Sequence, residues 1–389
     1  MLAVTTVTQV LGTMASMALA AVAPKAAADL GISPALIGYQ LATVFGGTMV
    51  TALLGGGLVR RLGAARTLQL GLWMVAAGGC ISAAATLPAL ALGALVVGLG
   101  YGVVNPAGAH LLSRAPSAGN MNLVFSIKQC GVPIGGTLAG LLAPSVTLAW
   151  GWRPALVGCA VLAAAWSLVC ASRRRAWDAD RDPLAPVLSS PTESLRTIAR
   201  NRALRWVTAG GTLYAAVQLC LTGFIVTYLV SDIGLDLVLA GTILALINGA
   251  GAAGRLAWGW FADRLGSGTK TMIVVGLLAI ASSLAIAAVA AGWPEWLIGA
   301  IAALFGFSAM GWNGVFFAMV VRLSPPQAVS SAIGGAIFWS SGGVAVAPAA
   351  FAALHDHAGV SYAGGYAMLA FLTAAGIACF VAARRTRVT

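Results

Sequence analysis

Lys128 and Arg255 are the two residues of this sequence whose positions ask for chemistry. Each lies inside a long apolar run, Lys128 within 121–145 and Arg255 within 238–261. At 1.5 Å per residue along a helix, Arg255 stands about 12 Å from Asp263 at the end of its run, and Lys128, about eight residues into its own, reaches a similar depth. A charge held that deep in a bilayer costs at least about 2.5–3.5 kcal/mol, so it normally faces a cavity and has a partner. The ten acidic residues supply none: Asp29, Asp178, Asp180, Asp182, Glu193, Asp232, Asp236, Asp263, Glu295 and Asp356 all fall in loops or at the ends of runs. Two deep cations without an internal carboxylate imply that the negative charge arrives with a ligand, where a guanidinium binds carboxylate bidentately and an ammonium acts as a point charge. The competing reading has Arg255 reaching toward Asp263 and Lys128 toward the membrane surface as structural ions.

The neutral polar residues of the runs come in pairs at a spacing of four, which puts both members on one helix face: Gln9 and Thr13, Tyr101 and Asn105, Tyr214 and Gln218, with Asn313 standing alone. Each fits a ligand contact or an interhelical hydrogen bond worth about 0.6 kcal/mol. Asn105, before Pro106, could instead satisfy backbone groups freed by the proline. Trp312 and Trp339 suit an apolar wall or plain packing, and Gln129 and Asn248 are open in the same way. His110 has the pKa class of a proton carrier but reads better as a satisfied or solvated histidine. The six cysteines are scattered singly, with no CxxC and no histidines at ligand spacing. Glycine patterns around Gly98 and Gly249 follow no strand and read as helix packing. With no nucleophile beside a base, no metal cluster and no phosphate loop, the chain is expected to be no enzyme and to hold no cofactor or metal.

The elements that must carry these residues are membrane helices. Of 389 residues, 60% are hydrophobic and 8% charged, with a mean hydropathy of +0.93, whereas a soluble surface needs roughly a quarter of its residues charged. Forty-nine glycines suit helices that approach closely in lipid. Twelve runs of spanning length are read at 3–23, 35–58, 67–87, 89–112, 121–145, 153–171, 204–229, 238–261, 270–291, 295–320, 327–351 and 362–383. The first lacks a basic leader and a small-residue cleavage site, so it is taken as a helix rather than a signal peptide. Eighteen of the 22 lysines and arginines, among them Arg60, Arg61, Arg66, Arg264 and Arg322, fall in alternate loops and the tail, against Lys25 and Arg153 opposite. The positive-inside rule then places both termini in the cytoplasm of a bacterial-type inner membrane. This placement of charge, at the ends of apolar runs, also removes nucleic acid as the explanation of the +12 net charge.

The longest polar stretch, 172–203, divides the chain into an N-terminal six-helix bundle (1–171) and a C-terminal one (204–389). A shift of 203 residues brings Asp29-Leu-Gly31 onto Asp232-Ile-Gly234 and 29–63 onto 232–266, with 12 of 35 positions identical. A shift of 208 brings Gly98, Asn105 and Arg114 onto Gly306, Asn313 and Arg322, and one of 211 brings Gly131 onto Gly342. Paired helices cross in the same direction, a parallel repeat that would put a substrate between the halves near mid-membrane.

The segment Gly259-Trp-Phe-Ala-Asp263-Arg264-Leu-Gly266 resembles the G-x-L-x-D-R-x-G signature of the major facilitator superfamily. The first-half copy, Gly56-Gly-Leu58-Val-Arg60-Arg61-Leu-Gly63, departs from it with Arg60 in the aspartate's place. SIKQCGVPIGG (126–136) and GWNGVFFAMVVRLSP (311–325) are similar to stretches of bacterial cyanate, nitrate and monocarboxylate porters. The resemblance covers essentially the whole chain and implies an all-α, twelve-helix fold of two pseudo-symmetric bundles. It further implies a cavity lined by helices 1, 4, 7 and 10, hence by Gln9, Asn105, Tyr214, Gln218 and Asn313, and conformational gating by Asp263, Arg264 and Arg61. In the resembled carboxylate porters an arginine at the Arg255 position, within Gly254-Arg255…Trp258-Gly259, binds the substrate.

The expectation is a monomeric secondary transporter of a small organic anion, a carboxylate, with Arg255 and Lys128 on the anionic group and Trp339 among the lining residues. Without a carboxylate in the spans, the coupling partner is open between a proton carried with the substrate and a counter-anion. A porter of inorganic anions such as cyanate or nitrite is the nearest rival, and a nontransporting membrane sensor is the rival of another class.

Overall fold

The computed structural model describes residues 1–113, 127–172, 174–185, 192–324 and 329–386. Among these, nine helices are long and apolar enough to cross a membrane, or ten if a pair bent by 40° at the N-terminus forms one span. That pair is α1 (Leu2–Ala18) and α2 (Ala23–Leu30), joined by one 3₁₀ turn, with a proline opening α2 where its missing N–H costs nothing. The single run expected over 3–23 is therefore bent. α3 (Ile37–Leu62) and α4 (Ala64–Ser82) take the places of the second and third expected spans. Neither α3 nor α4 is among the nine.

Two more expected spans are each interrupted by a turn while still counting as one apolar span, Leu87–Leu112 and Glu295–Leu323. The run 89–112 forms α5 (Leu87–Gly102) and α6 (Val104–Ser113). Pro106 donates no N–H and so is tolerated only in the first turn of a new helix, which is where it stands. The run 295–320 forms α14 (Glu295–Ala309) and α15 (Asn313–Leu323). The two interruptions, at Val103 and at 310–312, coincide under the 208-residue repeat shift. Between them lie α7 (Gly131–Trp150), entered through a helical turn so that the span runs Ile127–Trp150, α8 (Trp152–Ser172), α9 (Arg174–Trp177), α10 (Thr192–Arg200), α11 (Arg202–Ser231), α12 (Leu237–Leu265) and α13 (Gly268–Ala287). α16 (Val329–Ala358) and α17 (Tyr362–Arg385) complete the chain.

The contacts divide the molecule into two compact units, one of residues 1–32 and 40–189, the other of 33–39 and 190–389. The polar stretch 172–203 is thus shared between them, α9 belonging to the first and α10 to the second. In the first unit α4 packs on α5 and α8, and α1 on α7, around Val59, Leu68, Leu72, Val75, Leu111 and Trp177. In the second, α11 packs on α16 and α17, and α12 on α14, around Leu204, Tyr214, Met272, Trp312, Phe316 and Phe380. Tyr214 meets Trp312 and Phe380 edge-on at 5.9 and 5.3 Å, each contact worth about 0.5–1.5 kcal/mol beyond its area.

Small residues set the helix spacing, and they do so twice in the same way. A Cβ on Gly98 would stand 1.9 Å from the Val44 carbonyl oxygen, and one on Gly306 would stand 2.3 Å from that of Ile247. Val44 and Ile247 are related by the 203-residue shift, Gly98 and Gly306 by the 208-residue shift. One backbone contact is repeated in both units.

Candidate functional site

In the first unit, Lys128 stands on the turn that leads into α7 and is only 2% exposed. Its ammonium donates to Asn105 Oδ1 on α6 at 2.5 Å. Gly108, one turn further along α6, keeps the space for the lysine stem: a Cβ there would lie 3.0 Å from Lys128 Cε. An ammonium has three N–H groups and no acceptor capacity, and among the described residues no carboxylate pairs with it. The expectation that Lys128 lacks any internal partner is corrected to a neutral one. Asn105 is correspondingly engaged with the lysine.

Gln9, 0% exposed on α1, donates to Tyr101 Oη at 2.7 Å, and Thr13 Oγ1 lies 3.0 Å from the same oxygen. Tyr101 thereby joins α5 to α1, and two of the sequence pairs meet each other across helices. Gln9 Oε1 is buried and accepts no hydrogen bond among the described residues.

In the second unit the break after α14 does the positioning. The last carbonyls of a helix have no partner within it and carry its partial negative charge. α12 approaches closely, since a Cβ on Gly254 would lie 2.2 Å from Phe307 O and Trp258 Nε1 donates to that oxygen at 3.0 Å. The neighbouring Arg255 consequently reaches the end of α14, where its Nε donates to Met310 O at 3.3 Å. Asn313 Nδ2 donates to the same carbonyl at 3.3 Å and to Gln218 Oε1 at 3.3 Å. Trp312 Nε1 also donates to Gln218 Oε1, at 3.2 Å. Arg255, Asn313, Gln218 and Trp312 therefore form one network around the broken helix, centred on a carbonyl that a side-chain pattern does not reveal.

Other expected residues lie outside these two clusters. Tyr214 is in the core of the second unit, 4% exposed, and its hydroxyl donates to Met272 O at 2.8 Å, touching the network only through its ring against Trp312. Trp339 is 50% exposed on α16 and packs edge-on against Phe338. Asp263, Arg264 and Arg61 are exposed at the ends of α12 and α3, with the Arg264 guanidinium 4.3 Å over the Trp260 ring. His110 lies 2.8 Å from Asp180 Oδ2, a histidine satisfied by an acid. Among the described residues no cluster of histidine, cysteine and acidic side chains could hold a metal.

A family model described as Major Facilitator Superfamily matches residues 5–348. The chain belongs to that superfamily and is a multi-pass membrane protein of a transporter family, not an enzyme. It is 26% identical over 309 residues to a gallate transporter of Pseudomonas putida, covering 69% of each chain. It is 28% identical over 299 residues to a 3-(3-hydroxy-phenyl)propionate transporter of Escherichia coli, covering 75% of this chain and 70% of that one. A solved nucleoside transporter superposes with a TM-score of 0.79 at 15% identity, over 98% of both chains, a likeness of fold.

Proposed function

We propose that this protein is a secondary transporter of a small organic anion, an aromatic carboxylate in class, and that Lys128 and Arg255 bind the anionic group. The observation that carries this is Lys128: a buried ammonium whose acceptor among the described residues is one neutral amide oxygen. Such a charge is costly unless matched, and a carboxylate cargo matches it. Arg255, whose Nε donates to Met310 O at the end of α14, carries the planar guanidinium whose geometry carboxylates fit. The relatives that carry gallate and a phenylpropionate support an aromatic body on the cargo.

Transport then proceeds by alternating access of the halves 1–171 and 204–389, with both termini cytoplasmic in a bacterial inner membrane and the chain acting as a monomer. The cargo moves with a proton or against a counter-anion. Asn105, Gln9, Gln218 and Asn313 complete the binding residues, Tyr214 contributes through its ring against Trp312 and Trp339 as a lining residue of α16, and Asp263, Arg264 and Arg61 act in gating.

The test is uptake by proteoliposomes of gallate, 3-(3-hydroxyphenyl)propionate, cyanate and nitrite, with wild type, Lys128→Gln and Arg255→Gln. The proposal expects saturable uptake of the aromatic acids by wild type and its loss in both variants. Uptake confined to the inorganic anions would transfer the assignment to that class, and undiminished uptake by both variants would refute the site.

A further inference from the structure

The two copies of the repeat end their second helix differently. At the α12–α13 turn the sequence supplies Asp263, and α13 is capped locally by Ser267, whose hydroxyl accepts from the Lys270 N–H at 3.3 Å. At the α3–α4 turn Arg60 replaces the aspartate, and α4 starts from Gly63 with no side-chain cap of its own. The cap comes instead from Asp178, just past α9. Its Oδ1 accepts from the Ala65 N–H at 2.7 Å, and Oδ2 lies 3.3 Å from Arg66 Nη1 with the side chain 2% exposed. An acid at a helix N-terminus satisfies free N–H groups and complements the dipole. Gly63 makes room for it: its φ is +95°, and a Cβ there would stand 2.3 Å from Asp178 Cγ.

The chain on either side of Asp178 is fastened as well. Trp177 is buried in the core of the first unit, and Arg174 Nε donates to Gln69 Oε1. Asp180 pairs with His110 on α6, and the Asp182 N–H donates to Arg60 O at 2.8 Å. Residues 174–185 thus form a strap tied to α3, α4 and α6 within the first unit, and only 186–191 lie between it and α10 of the second. Freed, its twelve residues would add about 40 Å of reach to the connection.

We propose that Asp178 is a positioning residue for transport: it supplies to α4 the cap that Ser267 gives α13, pins the strap to the α3–α4 turn, and so sets the rate of the transport cycle without touching the cargo. A buried charge is weak evidence for stability, since well-packed apolar replacements often do as well, whereas a fixed short connection acts on the motion of whatever it joins. The inference rests on the chain being a transporter and is independent of the cargo being an anion.

The test has two arms on the full-length protein. In amide hydrogen exchange, Asp178→Asn is expected to expose 64–68 and 174–185 together while the first turn of α13 keeps its protection. In gallate uptake, Vmax per folded transporter is expected to fall about tenfold, the scale of a lost charged cap, with KM within about twofold. Gly63→Ala is expected to reproduce both effects, and the double variant to be no worse than either single one. Unchanged protection, unchanged Vmax, or a raised KM with Vmax kept would overturn the proposal. If Asp178→Asn fails to fold, Arg66→Gln keeps the cap and removes the ion pair; a smaller fall in Vmax supports the proposal and none overturns it. If wild type carries neither gallate nor 3-(3-hydroxyphenyl)propionate, cyanate or nitrite, the anion reading fails on its own and the exchange arm decides this one.

Discussion

Asn105 and Asn313 occupy the same place in the two halves, each beside a broken helix, and they do opposite jobs. Asn105 accepts from a buried lysine; Asn313 donates to a helix-end carbonyl and to a glutamine. The lysine itself, shifted by 211, falls on Trp339, a half-exposed aromatic. Across the repeat the architecture is kept, down to the Gly98 and Gly306 backbone contacts, while the charge is not. Shared features belong to the helix scaffold that both units need, and each of the two proposed binding charges belongs to one unit alone.

Four sets of substitutions test that contrast. The largest effect is expected from Lys128→Met, which keeps the volume and removes the charge. Aromatic-acid uptake should fall about 100-fold, the loss of a charge-assisted hydrogen bond of roughly 2–3 kcal/mol, while the melting temperature in detergent holds or rises because an unmatched buried charge is gone. A lower melting temperature with uptake kept would make Lys128 a structural ion. Next, Gly98→Ala and Gly306→Ala should each destabilise the protein by about 1–3 kcal/mol through overpacking against a backbone carbonyl, and by similar amounts. A large effect in one half alone, seen in thermal unfolding, would show that the repeat is not mechanically equivalent.

Asn105→Ala strips the lysine of its acceptor and should cost about 1–3 kcal/mol, whereas Asn313→Ala leaves Gln218 bonded to Trp312 and should cost about 0.6 kcal/mol; equal costs in thermal unfolding would erase the contrast. The smallest effect is expected from Arg264→Gln, which loses an exposed cation–π contact worth about 0.5 kcal/mol. A fall in transport rate beyond what that change in stability explains would support Arg264 as a gate.

Much of the fold was legible because lipid imposes a simple code: long apolar runs, small residues for packing, charges at the ends. The breaks at Val103 and 310–312 were hidden inside runs of uninterrupted hydropathy, although Pro106 and Gly311 mark them once a helix end is sought. Lys128 and Arg255 stood out because charge in an apolar run is rare; their partners did not. Asn105 is 23 residues from Lys128, and the acceptor of Arg255 is a main-chain oxygen of Met310, to which no residue type points. Asp178 was least legible of all. It looked like one more acid in a polar stretch, and only the folded chain brings it to Ala65, 113 residues away.

The proposed transport of an anion depends on Lys128 being a binding charge. Calorimetric titration of gallate into purified wild type and Lys128→Met at low ionic strength tests it directly. Saturable binding by wild type that weakens about 100-fold or vanishes in the variant is the predicted result, and equal affinity in the two proteins would contradict it.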